Sequence, residues 1–398
     1  MSTPVEIVPG VHWVGVKHPQ LRVFDELFPT HNGTTYNSYL VRGEKKLALI
    51  DTVKGMFSDE FFTDLAPQVD PAAIDLVVIN HTEPDHSGAL RRLLEINPEI
   101  PVYCSRAAEN FLRQQLNHPF NAHVVTDGDE IDLGGRTLRF ILAPYLHWPD
   151  TMFTYLVEDE ILFSCDAFGA HYCSRSLFDD EIPDFSFDFH FYFDNIMRPF
   201  KEKIREALAK LDNLPLRLLC PSHGPILRRN PQAVLDSYWR WAAPPPESAH
   251  PRVLLLTLSP HGNTRKMGAT IRETLEKQGM EVVEMSLVDP RESDLRDEME
   301  RADMLLIGTP TINRDAPGPV WNALALLSSV TPKRNVAAVF GTYGWSGEAV
   351  KLVEERLKGL KFSLATEGLT LRFTPTDEDL AHCHEFGAAV ANELLSPQ

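Results

Sequence analysis

Val78-Ile79-Asn80-His81-Thr82-Glu83-Pro84-Asp85-His86-Ser87-Gly88 decides how the first half of this 398-residue chain is read. Four candidate metal ligands, His81, Glu83, Asp85 and His86, fall within six residues. The apolar run Ile74-Asp75-Leu76-Val77-Val78-Ile79 precedes them and Gly88 follows. That is the pattern of a buried strand ending in a tight, ligand-bearing loop. Imidazoles and carboxylates at alternate positions serve two adjacent metals at once. The bland alternative is a solvated acidic loop with incidental histidines. Four ligands gathered directly after a strand speak against it.

The segment resembles the metallo-β-lactamase superfamily loop His-x-His-x-Asp-His, with Glu83 standing where the hydrolases carry a second histidine. Zinc sites tolerate neutral imidazoles, whereas extra anionic oxygen ligands suit iron that cycles between ferrous and ferric states. Within that superfamily the glutamate variant marks the flavodiiron proteins, and His-Thr-Glu-Pro-Asp-His-Ser-Gly is similar to their sequences.

The length implies two or three domains. Apolar residues make up 43% of the chain, and no apolar run is long enough to span a bilayer. The N-terminus, Met1-Ser2-Thr3-Pro4-Val5-Glu6, has neither a basic start nor an apolar core, so no secretory signal is expected. Five scattered cysteines (Cys104, Cys165, Cys173, Cys220, Cys383) form no Cys-x-x-Cys pair, which suggests free thiols in a reducing cytoplasm. A formal charge of −18 argues against binding to nucleic-acid phosphates. Residues 252–398 carry 16 basic and 21 acidic side chains, so the ligand-bearing half is the more acidic.

Ala242-Ala243-Pro244-Pro245-Pro246-Glu247-Ser248-Ala249-His250-Pro251 contains four prolines and reads as an extended spacer. We divide the chain into residues 1–245 and 252–398. Upstream, strands come early: Leu47–Ile50, Leu76–Ile79 and Val102–Cys104. Downstream, strands are expected at Arg252–Leu258, Glu281–Leu287, Met304–Ile307 and Val336–Phe340, and helices at Thr264–Gln278, Glu348–Lys358 and Asp377–Leu395. That alternation implies a doubly wound parallel sheet.

Four apolar runs of the first domain end in a His or Asp. His81 follows Leu76–Ile79, His147 follows Leu138–Leu142 and a short connection, Asp166 follows Ile161–Cys165, and His223 follows Leu216–Cys220. Ligands on loops after buried strands converge at one edge of a sandwich. Taken singly, His147 reads equally well as a half-buried histidine bonded to backbone, and Asp166 as a turn residue. Their order behind the first loop favours the joint reading. The resemblance implies an αββα metallo-β-lactamase-like sandwich in which one iron takes His81, Glu83 and His147. The other would take Asp85, His223 and His86, with Asp166 bridging both. It leaves His86 open, because in some members a water replaces the equivalent histidine. His31, His171 and Tyr192 are expected beside the pocket, His171 and Tyr192 as proton or hydrogen-bond donors to a bound oxygen species. For any one of these a plain core role is the stronger alternative. Cys165 and Cys173 are not expected to ligate, since a thiolate there is an oxidation hazard.

In the second domain Ser259-Pro260-His261-Gly262-Asn263-Thr264 joins a strand to a helix. Backbone amides, the positive helix end and the Ser259 and Thr264 hydroxyls suit a phosphate. The loop fits neither Gly-x-Gly-x-x-Gly nor a Walker A motif. It resembles the flavodoxin FMN-phosphate loop. Gly308-Thr309-Pro310-Thr311-Ile312-Asn313 and Gly341-Thr342-Tyr343-Gly344-Trp345-Ser346-Gly347-Glu348 follow buried strands, where open α/β sheets bind ligands. They resemble isoalloxazine-contacting loops. Trp345 is the natural stacking residue, with Tyr343 second.

The resemblance covers nearly the whole chain, with no cysteine-paired rubredoxin domain. It implies a cytoplasmic FMN- and diiron-dependent oxidoreductase reducing O2 to water, NO to N2O, or both. It also implies a rubredoxin-like or other small donor protein and a head-to-tail homodimer, or a dimer of such dimers. Two other classes remain in view: a diiron oxygen or redox sensor, and a dinuclear metallo-hydrolase fused to a flavodoxin domain.

Overall fold

Leu76–Ile79 is buried at all four positions. A strand sends alternate side chains to opposite faces. Leu76 and Val78 accordingly join Ile50, Phe140 and Phe163 in a core between two sheets. Val77 and Ile79 join Leu90, Leu93 and Leu112 in a second core beneath helices. Each fully buried side chain of this kind contributes about 1.5–3 kcal/mol, so slipping the strand by one residue exchanges its partners on both faces.

The computed structural model describes residues 4–396, in two compact units, Met1–Ala243 and Pro244–Gln398. In the first unit Leu76–Ile79 belongs to a seven-stranded sheet. Its order is Val5–Val8, Val11–Trp13, Tyr39–Arg42, Leu47–Ile50, Leu76–Ile79, Pro101–Cys104, Asn121–Val124. Pairing is antiparallel up to Leu47–Ile50 and parallel beyond it. The facing sheet has five strands: Glu130–Asp132, Thr137–Leu142, Met152–Leu156, Ile161–Cys165 and Leu218–Pro221. The helices Ser58–Leu65, Leu90–Ile96 and Arg106–Leu116 cover the outer face of the first sheet. Ser186–Tyr192, Lys201–Leu211 and Pro231–Trp241 cover that of the second. Lys201–Leu211 shows the cause in its sequence: Ile204, Ala207, Leu208 and Leu211 recur at helical spacing and are the residues it buries. The result is the expected αββα sandwich.

The second unit is a parallel sheet ordered Glu281–Ser286, Arg252–Thr257, Met304–Pro310, Val336–Tyr343, with Ser363–Leu364 and Leu369–Arg372 both pairing with the last. This is the flavodoxin-like order, with the first strand at the point where the winding reverses. Asn263–Lys277 and Asp377–Leu395 pack on one face. Glu292–Arg301, Gly318–Leu326 and Glu348–Gly359 pack on the other. Two strands run further than expected. Pairing continues through Thr309↔Gly341 and Pro310↔Thr342, which makes strand of residues read from sequence as loop. Among the described residues no helix is long and apolar enough to cross a membrane.

Candidate metal centre and cofactor cleft

The ligand loop is a short helical turn, not an irregular one. Pro84–Ser87 forms a single turn with Glu83 at its N-cap and Pro84 at its first position, where a proline has no hydrogen bond to lose. Glu83 therefore stands before the turn, and Asp85 and His86 stand on it. The other ligands follow strands of the second sheet. Asp51, Tyr145, Cys165 and Phe168 take left-handed φ (55°, 69°, 51° and 66°) in the loops and strand end around them, a conformation ordinary residues keep where the surroundings enforce it, often at functional sites. Gly224, directly after His223, has φ +81° and a Cβ there would lie 2.6 Å from the Ala170 carbonyl oxygen. Only glycine lets the chain after His223 pack so closely on Ala170.

All seven expected ligands come together, in two groups that share Asp166. Glu83 Oε2 lies 3.2 Å from His81 Nε2 and 3.0 Å from His147 Nε2, and Asp166 Oδ2 lies 3.7 Å from both imidazoles. On the other side Asp85 approaches His86 Nε2 at 3.3 Å and His223 Nε2 at 3.1 Å. Asp166 Oδ1 lies 3.2 Å from His86 Nε2 and 3.4 Å from His223 Nε2. The two oxygens of one buried carboxylate thus face two separate donor sets.

The protein fits metal at both positions. Both Asp85 oxygens and His86 Nε2 are buried without a hydrogen-bond partner, a state proteins avoid unless something else satisfies the atoms. Burial opposes ionisation of Glu83, Asp85 and Asp166, yet the imidazoles facing them hold all three below the usual carboxylate range. Burial likewise opposes a charge on His86, but Asp85 and Asp166 push it up to about 10. The carboxylates demand positive charge at their centre, and two cations would supply it in place of imidazole protons.

Ring orientation is fixed from behind. His81 Nδ1 lies 3.1 and 3.2 Å from the Asp150 carboxylate oxygens, and His223 Nδ1 donates to the Thr35 carbonyl at 2.7 Å. A carboxylate or carbonyl accepts only, so Nδ1 carries the proton and Nε2 faces the centre. Asp150 is fully buried and also accepts from the Thr82 N–H and Oγ. In the sequence its only mark is an acid two residues after His147-Trp148. Asp150→Ala is expected to weaken metal binding about 10–100-fold, read by competition with a chelator.

A cavity of about 270 Å³ opens onto this cluster. Phe24, Leu27, Phe28, Ile196, Pro199 and Phe200 form its apolar walls, and Asp25, Glu83, His147, Asp166, Tyr192, Asn195 and His223 its polar lining. Tyr192 donates its hydroxyl to Asp166 Oδ1 at 3.0 Å. Burial, then the Asp166 charge, keep that phenol protonated. His171 does not line the cavity. It sits behind Phe24, ring centres 4.1 Å apart, beside Thr34 Oγ1 at 3.2 Å, and burial, then His223, hold it neutral. His31 packs on Phe187 and Phe191. Burial raises the Cys165 thiol well above its ordinary value. Asp25, a lining residue, carries no mark in the sequence. It pairs with Lys54 at 3.2 Å.

In the second unit a cleft of about 380 Å³ lies at the strand C-ends. Of the expected residues, Ser259, His261, Asn263, Thr264, Pro310, Thr311, Ile312, Thr342, Tyr343, Gly344 and Trp345 line it. Gly262, Asn313, Ser346 and Gly347 belong to the same loops but are not among the lining residues, which include Pro260 and Phe373 in addition. Gly262 instead caps the helix Asn263–Lys277 at φ +83°. Ser259 Oγ accepts from the Arg265 N–H at 3.0 Å, and the Thr264 and Thr342 hydroxyls are 2.9 Å apart. Trp345 is 76% exposed, a platform rather than a core residue.

Comparison with known proteins agrees with this architecture. Residues 34–224 match the family described as ODP family beta lactamase, and residues 255–387 match flavodoxin. The chain is 41% identical to type A flavoprotein fprA of Rhodobacter capsulatus, over 98% of this chain and 92% of that one. It is 38% identical to flavo-diiron protein FprA2 of Clostridium acetobutylicum, over 98% and 99%. It is 38% identical to the nitric oxide reductase of Moorella thermoacetica, over 99% and 100%. Among solved structures it is similar to rubredoxin oxygen:oxidoreductase from Desulfovibrio gigas, with a TM-score of 0.74, 29% identity and 98% of each chain covered.

Proposed function

The chain belongs to the flavodiiron proteins, or type A flavoproteins, and from that premise we propose that it reduces a diatomic gas, O2 or NO, at the Asp166-bridged cluster. The class itself is an FMN- and diiron-dependent oxidoreductase. The observation that carries the proposal is the division of the two Asp166 oxygens between two donor sets below one small cavity. With irons and FMN in place, the protein has the electrons for O2 to two waters (four, with four protons) or for two NO to N2O and water (two, with two protons).

The chain's own residues do the rest. His81, Glu83 and His147 would hold one metal, Asp85, His86 and His223 the other, and three carboxylates favour the more oxidised ions by charge. The apolar walls admit a small neutral gas and keep bulk water sparse. Tyr192 holds a proton at Oη on the cavity lining, next to Asp166. His171, off the lining and neutral, would position Phe24 and Tyr192 rather than meet substrate.

The remaining parts follow from the family. FMN would lie in the cleft with its phosphate at Ser259–Thr264 and its ring near Trp345. A head-to-tail homodimer, singly or paired, would place the flavin of one subunit against the metal cavity of its partner. Exposed Leu27 at the cavity and exposed Trp345 and Ile312 at the cleft are apolar surface that such a contact buries. A rubredoxin-like donor and a cytoplasmic location complete the proposal, the latter supported by five free cysteines.

The test is anaerobic turnover of iron- and FMN-loaded protein with O2 and NO separately, using one chemically reduced donor. Faster O2 loss to water without peroxide makes it an oxygen reductase. Faster NO loss to N2O makes it a nitric oxide reductase. Turnover of neither gas overturns the proposal and returns the sensor and hydrolase readings.

A further inference from the structure

Phe373 is an exposed aromatic residue on a left-handed backbone. It is 58% exposed and takes φ +57°, a left-handed backbone that suits glycine and burdens a bulky side chain. Its ring belongs to neither hydrophobic core of its unit.

Its neighbours hold it nonetheless. The Phe373 N–H donates to the Tyr343 carbonyl at 2.8 Å, which continues the pairing of Tyr343 with Arg372. Arg372 Nε donates to the Gly344 carbonyl at 2.9 Å, and its guanidinium lies 5.4 Å from the centre of the Phe373 ring. The ring edge rests on Gly344, where a Cβ would stand 3.0 Å from Phe373 Cε1. A residue with a side chain at 344 would push the ring away. The ring therefore lies on the loop that carries Trp345, and both aromatics line the same cleft.

Strained backbone held by surrounding contacts recurs at ligand clamps, and here it carries an exposed ring on the lining of the cleft. Resting on the flavin reading of this cleft, the geometry points to Phe373 as a second aromatic wall for the FMN ring system, held against the Trp345 loop by Gly344 and Arg372. The chemistry it selects is a flat, electron-poor aromatic surface, which stacks favourably on a phenyl face. The Ser259–Thr264 loop would recognise only the phosphate end. Phe373 would thus add affinity for the ring.

Apo-protein titrated with FMN, followed by flavin fluorescence quenching, tests this. Stoichiometric binding to the wild type examines the flavin reading itself, and its absence would remove that reading before any variant is made. With wild-type binding established, Phe373→Ala is expected to raise Kd by about tenfold, equivalent to ~1.4 kcal/mol, and to shift the visible flavin bands. Phe373→Trp should remain within roughly threefold of wild type, a difference below 1 kcal/mol on the same scale. Phe373→Gly separates ring from backbone: glycine relieves the left-handed strain, so Tm should hold or rise while FMN affinity still falls. Wild-type Kd and spectrum in Phe373→Ala and Phe373→Gly would overturn the assignment. So would an equal loss in Phe373→Trp, which would show that the aromatic surface is not what matters.

Discussion

Asp166→Asn is expected to lower turnover with both gases by about a thousandfold, some 4 kcal/mol of lost stabilisation, and to leave the protein with fewer than two bound irons. The two oxygens of Asp166 divide between the donor sets. Oδ2 faces His81 and His147, while Oδ1 faces His86 and His223 and accepts from the Tyr192 hydroxyl. An amide offers one oxygen and one NH2 group, and NH2 cannot ligate a cation. Whichever way the side chain turns, one donor set loses its shared oxygen, and the centre loses a negative charge that keeps two cations close. At 1% exposure Asp166 leaves little room for solvent to replace the lost ligand. Metal analysis and turnover on the same preparation decide the matter. Two irons with turnover within roughly tenfold of wild type, ~1.4 kcal/mol, would show that Asp166 does not bridge.

The candidate centre is legible because its expected ligands are chemically distinctive and each follows a buried strand. Leu76–Ile79 and Ile161–Cys165 announce themselves as apolar runs, so His81 and Asp166 could be placed at one edge of a sandwich before any coordinates. The residues behind the ligands were not legible. Asp150 reaches His81 from 69 positions away in sequence, and an isolated acid carries no mark of the fold that buries it. Asp25 and Phe373 were missed for a related reason: a turn or strand end reveals its exposed side chains only once its backbone conformation is known. The sequence leaves open whether His171 lines the pocket or lies beside it; its ring packs against Phe24, Tyr192 and His223, which line the cavity. Among the elements, Glu292–Arg301 went unread because only Leu295 and Met299 bring apolar side chains to the core within an otherwise strongly charged run. Gly318–Leu326 went unread because its Gly-Pro start looks like a loop, although proline is well tolerated in a first helical turn.

Glu83→His should convert the iron-type donor set into a zinc-type one. Glu83 Oε2 is the donor atom closest to both His81 Nε2 and His147 Nε2, so the substitution acts directly on one metal position. Three imidazoles with the shared Asp166 resemble the nitrogen-rich sets that suit a redox-inert cation, whereas the native set places two carboxylates there, which favour the oxidised ion of a couple. Glu83 is also an N-cap whose side chain makes no capping hydrogen bond, so the change in charge is not confounded by the loss of a helix start. The variant is expected to retain zinc in preference to iron after reconstitution with both metals, and to lose turnover by about a hundredfold or more, ~2.7 kcal/mol. Competition between the two metals, with turnover measured on the product, is the deciding experiment. Unchanged iron preference with near wild-type turnover would mean that the Glu83 carboxylate is not what selects the metal. The choice would then rest with Asp85, whose oxygens face the other donor set, and with Asp166, which faces both.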